Sequence, residues 1–227
     1  MQEFILPEGR RLGFFGNPDA PVCVIQPMDG REISSVELQM RLIDKLCPGM
    51  EFSMLAVEIM DWGAELTPWS AENVPGRTGF SGGAETFLWE LETRILPQFE
   101  QKAVKPRKTI LAGYSLAGLF ALWAAYRSSR FDAAAAVSPS VWYPGWLEFA
   151  QGGKPMAEAV YLSLGDKEEK TRHPLMSQVG QAIREQYALL QQAGIPCTLE
   201  WNPGNHFRDV EHRMAAGIAW TLQACAE

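Results

Sequence analysis

Histidine is scarce in this sequence. Only His173, His206 and His212 occur, and they are dispersed. The four cysteines, Cys23, Cys47, Cys197 and Cys225, form no close pair with zinc or redox spacing. With no paired Cys/His motif, no first shell for a metal is visible, and neither a metal nor another cofactor is expected. Cys23 and Cys197 lie in strand-like runs, where buried reduced thiols are expected rather than disulfides. Long apolar runs are missing too. The stretch Ala112–Tyr126 is too short and too interrupted to span a bilayer. The N-terminus, Met1-Gln2-Glu3-Phe4, shows no basic segment followed by an apolar one, so no secretory signal is read and a cytoplasmic location is expected. No stripe of lysine and arginine appears, and the formal net charge is −7. Nucleic acid and anionic membrane are therefore excluded as expected partners. There is no internal repeat and no low-complexity tract.

What is present is ordinary globular material. With 227 residues, 47% of them hydrophobic, the chain suits one compact domain over residues 1–227. Strand patterns alternate with helix patterns, which predicts an α/β fold: a mainly parallel sheet with helices on both faces. The first buried-strand run is Pro21–Gln26. A capping-box pattern, Ser34-Ser35-Val36-Glu37, predicts a helix reaching about Leu46. Phe52–Met60 reads as a strand. The long aperiodic stretch Asp61–Gly83 is a candidate pocket wall. Glu85–Gln101 has helical period. Further strands are predicted at Lys108–Ala112, Phe131–Val137, Val160–Leu164 and Pro196–Trp201. Helices are predicted at Leu116–Tyr126, Trp146–Gln151, Pro174–Gln192 and Val210–Cys225.

The chemistry concentrates around one serine. Lys108-Thr109-Ile110-Leu111-Ala112-Gly113-Tyr114-Ser115-Leu116-Ala117-Gly118 sets Ser115 between a strand and a helix. A nucleophile elbow needs this context, with small residues two positions before and after the serine. Gly113 and Ala117 satisfy it, and the pattern predicts an α/β-hydrolase fold. A serine that merely caps a helix is the plainer reading of the same turn. In this fold the partners follow in the order serine, acid, histidine. His206 fits that order, in the turn-rich loop Asn202–Phe207 after the last strand. His173 and His212 read as loop and helix-surface residues. The acid should follow the strand Val160–Leu164, where Glu168 is the first choice, Asp166 the second and Glu169 the third. One oxyanion N–H is assigned to Leu116 and the other to Gly30 or Arg31, after the strand Pro21–Gln26. Trp62, Trp69 and Trp142 fall in loops at the same edge, as does Trp146. The first three are taken as a pocket for an apolar or aromatic acyl group, with core packing the alternative.

Several segments together resemble a known family. They are Gly113-Tyr114-Ser115-Leu116-Ala117-Gly118, Val137-Ser138-Pro139-Ser140-Val141-Trp142, Leu66-Thr67-Pro68-Trp69, Phe80-Ser81-Gly82-Gly83-Ala84 and Gly204-Asn205-His206-Phe207-Arg208-Asp209. The chain resembles the α/β-hydrolase esterase family that includes the enterochelin (siderophore trilactone) esterases and the esterase D-like enzymes. The resemblance runs from about Val24 onward. It implies a small-molecule ester substrate, with Ser115 and His206 at the family's catalytic positions. It leaves open a Ser–His dyad without an acid. The sequence departs at Ala117, where family members often have glycine. An acyltransferase using the same residues, or a binding protein on a hydrolase scaffold, are the competing functions.

Overall fold

The computed structural model describes residues 1–72, 79–100 and 106–226. In chain order, strands β1 (Gln2–Ile5), β2 (Arg11–Gly16) and β3 (Val22–Met28) come first. A 3-10 turn, Gly30–Ser35, leads into helix α1 (Val36–Leu46), then strand β4 (Phe52–Glu58). The stretch predicted to be aperiodic holds a short helix, α2 (Trp62–Glu65), and a two-stranded ribbon, β5 (Ser70–Ala71) with β6 (Phe80–Ser81). Residues 73–78 of that stretch lie outside the described residues. The helix predicted at 85–101 is three pieces: α3 (Ala84–Glu90), a π turn (Leu91–Ile95) and α4 (Leu96–Glu100). Its last residue, Gln101, also lies outside. The remainder is β7 (Lys108–Tyr114), α5 (Leu116–Arg127), β8 (Ala133–Val137), α6 (Trp146–Gln151), β9 (Ala159–Gly165), α7 (Val179–Gln192), β10 (Cys197–Asn202) and α8 (Val210–Ala224).

Eight strands form one sheet in the order β1-β2-β4-β3-β7-β8-β9-β10. The pairings from β4 through to β10 are parallel, and β1 and β2 join antiparallel. The expected mainly parallel sheet is therefore present. The two antiparallel strands before Pro21 were not anticipated, because Gln2–Ile5 is a short edge strand with little buried surface and Arg11–Gly16 is buried on both faces, so neither alternates.

Period-two alternation divides the core. In β8, Ala134 and Ala136 face one cluster while Ala133, Ala135 and Val137 face the other. The first cluster is covered by α3, α5, α6 and α7 and contains Phe87, Phe120, Trp146 and Ile183. The second is covered by α1 and α8, through Val36, Ile43, Met214 and Ile218. Helix α5 is buried over most of its length, from Leu116 to Tyr126, which explains why its sequence has no polar face.

Two local expectations need correction. Ser35 makes no side-chain cap bond. The 3-10 turn ahead of α1 is capped instead by Asp29, which accepts from the Arg31 N–H, and its carbonyls take the N–H of Val36. The first α1 donor, the Val36 N–H, is thus satisfied by the turn before it rather than by a capping box. All four cysteines are free thiols, but Cys197 is only half-buried.

Candidate active site

The chain leaves β3 for β4 on one side and then crosses to β7 on the other. The crevice between β3 and β7, at their carboxyl ends, is therefore the switch point where ligands bind in open parallel sheets. Ser115 sits directly after β7. Its backbone adopts φ 59° and ψ −117°, a conformation that costs a non-glycine residue on the order of 1–3 kcal/mol. The surroundings enforce it. A Cβ on Gly113 would come within 2.2 Å of the Ala117 carbonyl oxygen, so the turn closes only over glycine. A Cβ on Gly118 would meet the carbonyl oxygens of Gly113 and Val137 at 2.9 and 3.0 Å. Ala117 is accommodated at the position where glycine is commoner, fully buried beneath the turn.

Three groups from three loops converge. The Ser115 Oγ lies 3.0 Å from His206 Nε2, and His206 Nδ1 lies 2.6 Å from Glu168 Oε2. A carboxylate only accepts, so Nδ1 carries the proton and Nε2 is left to accept from the serine hydroxyl. Glu168 stands on a 3-10 turn, Glu168–Lys170, just past β9. Its second oxygen, Oε1, accepts from Gly165 N at 2.7 Å, Ser138 Oγ at 2.9 Å and Arg213 Nη2 at 2.8 Å. Burial alone would raise this carboxyl's pKa. The His206 hydrogen bond and charge, followed by Arg213 and the Gly165 N–H, outweigh burial and hold it below the usual carboxylate range. The other two candidates are committed elsewhere. Asp166 accepts from the Gly204 N–H at 2.8 Å, and Glu169 pairs with Arg184 at 3.0 Å. His173 accepts from the Met176 N–H, and His212 is exposed on α8.

Arg213 is a participant that sequence reasoning missed. Its side chain is 3% exposed. Besides Glu168 it reaches Tyr114 Oη at 2.9 Å, Asn202 Oδ1 at 2.8 Å and the Ser138 hydroxyl. Tyr114 in turn donates to the His206 carbonyl at 2.7 Å, and burial pushes its phenol up to about 12. One guanidinium thus ties the ends of β7, β8, β9 and β10 to α8.

A cavity of about 380 Å³ opens over this group. Ser115, Leu116, Glu168 and His206 line it, with Ser138, Pro139, Ser140, Trp142, Met176 and Phe207. Leu116 is the first residue of α5, where a backbone N–H has no carbonyl four residues back within the helix. Ser140 Oγ stands 3.4 Å from Ser115 Oγ. Gly30 and Arg31 are not among the lining residues. Gly30 packs where the Arg11–Glu58 ion pair crosses, and a Cβ there would fall 2.0 Å from Glu58 Oε1. The Arg31 side chain folds back onto Asp29. Of the tryptophans, only Trp142 lines the cavity. Trp69 donates to the Pro144 carbonyl and packs on Tyr143 and Phe149, and Trp62 packs against the core. Trp146 is buried and donates to Gln186. Among the described residues, no cluster of His, Cys, Asp and Glu could hold a metal ion, and no helix is long and apolar enough to cross a membrane.

A parallel sheet with a serine on the strained turn after a central strand, covered by helices on both faces, is the α/β-hydrolase fold. Solved structures with this fold include the siderophore hydrolase EstA from Aspergillus nidulans. It matches with a TM-score of 0.77 at 21% identity, over 98% of this chain and 93% of that one. An IroE-like serine hydrolase from Shewanella oneidensis matches with a TM-score of 0.78 at 18% identity, over 98% and 79%. The enterobactin esterase FES from Shigella flexneri matches with a TM-score of 0.73 at 19% identity, over 99% of this chain and 59% of that one. At these identities the likeness is one of fold. No family model and no curated protein sequence matches the chain.

Proposed function

We propose that the protein is a serine hydrolase that cleaves carboxylic esters through an acyl-enzyme. The observation that supports this is the hydroxyl–imidazole–carboxylate chain, with contacts of 3.0 and 2.6 Å, at the floor of a cavity. In the first half-reaction Ser115 Oγ attacks the ester carbonyl carbon and its proton passes to His206 Nε2. The tetrahedral oxyanion takes the Leu116 N–H at the start of α5, whose dipole favours negative charge there. As the C–O bond breaks, His206 returns the proton to the departing alcohol oxygen. In the second half, water gives a proton to His206, attacks the acyl carbon, and releases the acid and the Ser115 hydroxyl. Glu168 holds the imidazole with Nδ1–H inward and stabilises the imidazolium formed in each half. Arg213 keeps Glu168 ionised and fixed, so it is a positioning residue.

Esters of siderophores are the first to try, because siderophores and enterobactin are named for the similar structures. The test is a fluorophosphonate probe followed by peptide mapping, together with a screen of para-nitrophenyl esters and cyclic lactones. Covalent labelling at Ser115 and turnover that vanishes with it are expected. An unlabelled Ser115 in folded protein would leave only a binding scaffold.

A further inference from the structure

The cavity over Ser115 carries an unbalanced charge. Its charged lining side chains are Lys167, Glu168 and Lys170. The Glu168 charge is already committed to His206 and Arg213. Both lysines are exposed, and among the described residues neither has an ion-pair partner. This happens in a chain with 27 acidic and 20 basic residues, where carboxylates are in surplus. Local backbone geometry sets the two residues on one side of the turn. Lys167 caps the 3-10 turn Glu168–Lys170, and residues three apart in such a turn project on the same side. The turn itself is anchored, since Lys167 N donates to Gly204 O at 3.1 Å and Lys170 N donates to Lys167 O at 3.2 Å. An anion entering the cavity meets two cations that no carboxylate already neutralises. Trp142 and Phe207, the latter 84% exposed, add apolar surface at the same cavity.

We infer that Lys167 and Lys170 form an anion-recognition subsite, which selects esters bearing a negatively charged group next to an apolar or aromatic portion. The inference rests on the hydrolase reading above and names its substrate class.

Two matched pairs of esters test it. The para-nitrophenyl monoester of adipic acid is compared with para-nitrophenyl hexanoate, which places the charge on the acyl side. The hexanoyl ester of para-hydroxybenzoate is compared with that of para-hydroxybenzamide, which places it on the alcohol side. The expected result is a higher kcat/KM for the anionic member of at least one pair. In the Lys167→Gln/Lys170→Gln protein that preference should fall about tenfold, equivalent to about 1.4 kcal/mol. The remote pair Lys45→Gln/Lys154→Gln changes net charge equally and should leave the preference as it was. Raising the salt concentration should weaken the preference in the wild type. Equal turnover within both pairs, or an equal loss in the remote variant, overturns the subsite while ester hydrolysis stands. If no ester turns over, calorimetric titration of the Ser115→Ala protein with para-hydroxybenzoate and its amide still decides. Tighter binding of the carboxylate that depends on the two lysines upholds the subsite, and equal binding overturns it.

Discussion

Two turns at the carboxyl edge of the sheet invite comparison: the one after β9 and the one after β3. Each begins near a glycine, carries charged residues and was given a role from sequence. In the turn after β9, Glu168 is buried and accepts from four donors, three of them, Ser138, His206 and Arg213, contributed by distant parts of the chain. In the turn after β3, Arg31 is 86% exposed and pairs only with Asp29, two residues away. The first turn is built from contacts far apart in sequence, so it can position a reacting group. The second satisfies itself locally and leaves its side chains in water. A charge in a loop is informative only when something remote answers it.

The largest break is expected at the proposed nucleophile, which the first turn serves through His206. Ser115→Ala should lower kcat on the order of a millionfold, and His206→Ala should match it, because the two act as a unit. Circular dichroism and melting temperature should stay close to wild type. Near-normal turnover in either variant would refute the assignment.

Glu168→Gln comes next, with a loss of about ten-thousandfold in kcat, since the acid is the least costly member of such a triad to remove in one worked protease. Its pH dependence of stability follows from the depressed pKa. A carboxylate held below its unfolded value stabilises the fold fully above about pH 4.3, and that contribution fades as pH falls through the folded value. The melting temperature gap between wild type and Glu168→Gln should therefore narrow on acidification below that point. A gap that does not change with pH would show that the charge is not what Glu168 contributes.

Arg213→Met sharpens the comparison from the other partner. It leaves Glu168 buried without its guanidinium and should destabilise the protein by about 3–5 kcal/mol in urea titration. Adding Glu168→Gln to it should recover part of that loss, because no buried charge then remains unanswered. Activity of the single variant at saturating substrate should fall less than in Glu168→Gln, since the carboxylate still touches His206. A fully additive double variant would mean the two side chains do not act through each other.

The smallest effect is expected across the sheet. Arg31→Ala should change stability by less than about 1 kcal/mol, as for an ordinary exposed pair. It should also leave kcat/KM as it was. A hundredfold loss would bring the Arg31 side chain into the reaction, whereas its backbone N–H, which donates to Asp29, is untouched by the substitution.

The sequence was most legible where backbone constraint and chain order act together. Ser115 was readable because its turn demands small neighbours: a Cβ at position 113 would fall 2.2 Å from the Ala117 carbonyl oxygen, so only glycine fits there. His206 could be singled out because it alone of the three histidines lies in the loop between the last strand and the closing helix. Glu168 was harder, since three carboxylates share one short loop and only tertiary donors separate them. Arg213 was missed because a lone arginine in a helix normally faces solvent. A signal did exist. Val210, Met214, Gly217, Ile218 and Thr221 trace the apolar stripe of α8, and Arg213 adjoins it rather than the polar side. A charge in that place asks for a buried partner. Trp142 lines the cavity, whereas Trp62 and Trp69 do not, because loop position does not tell a pocket wall from a packing residue, and the Trp69 contacts with Pro144 and Tyr143 exist only in three dimensions.

The unusual backbone at Ser115 has a consequence for how such a protein ages under selection. Glycine would sit at φ 59° without strain, so the serine is retained against a small, constant thermodynamic push towards its replacement. Once turnover no longer mattered to the host, drift would favour the quieter residue, because stability and activity pull apart at this one position. At Ser115, then, the proposed activity requires a side chain where the fold alone would be content with none.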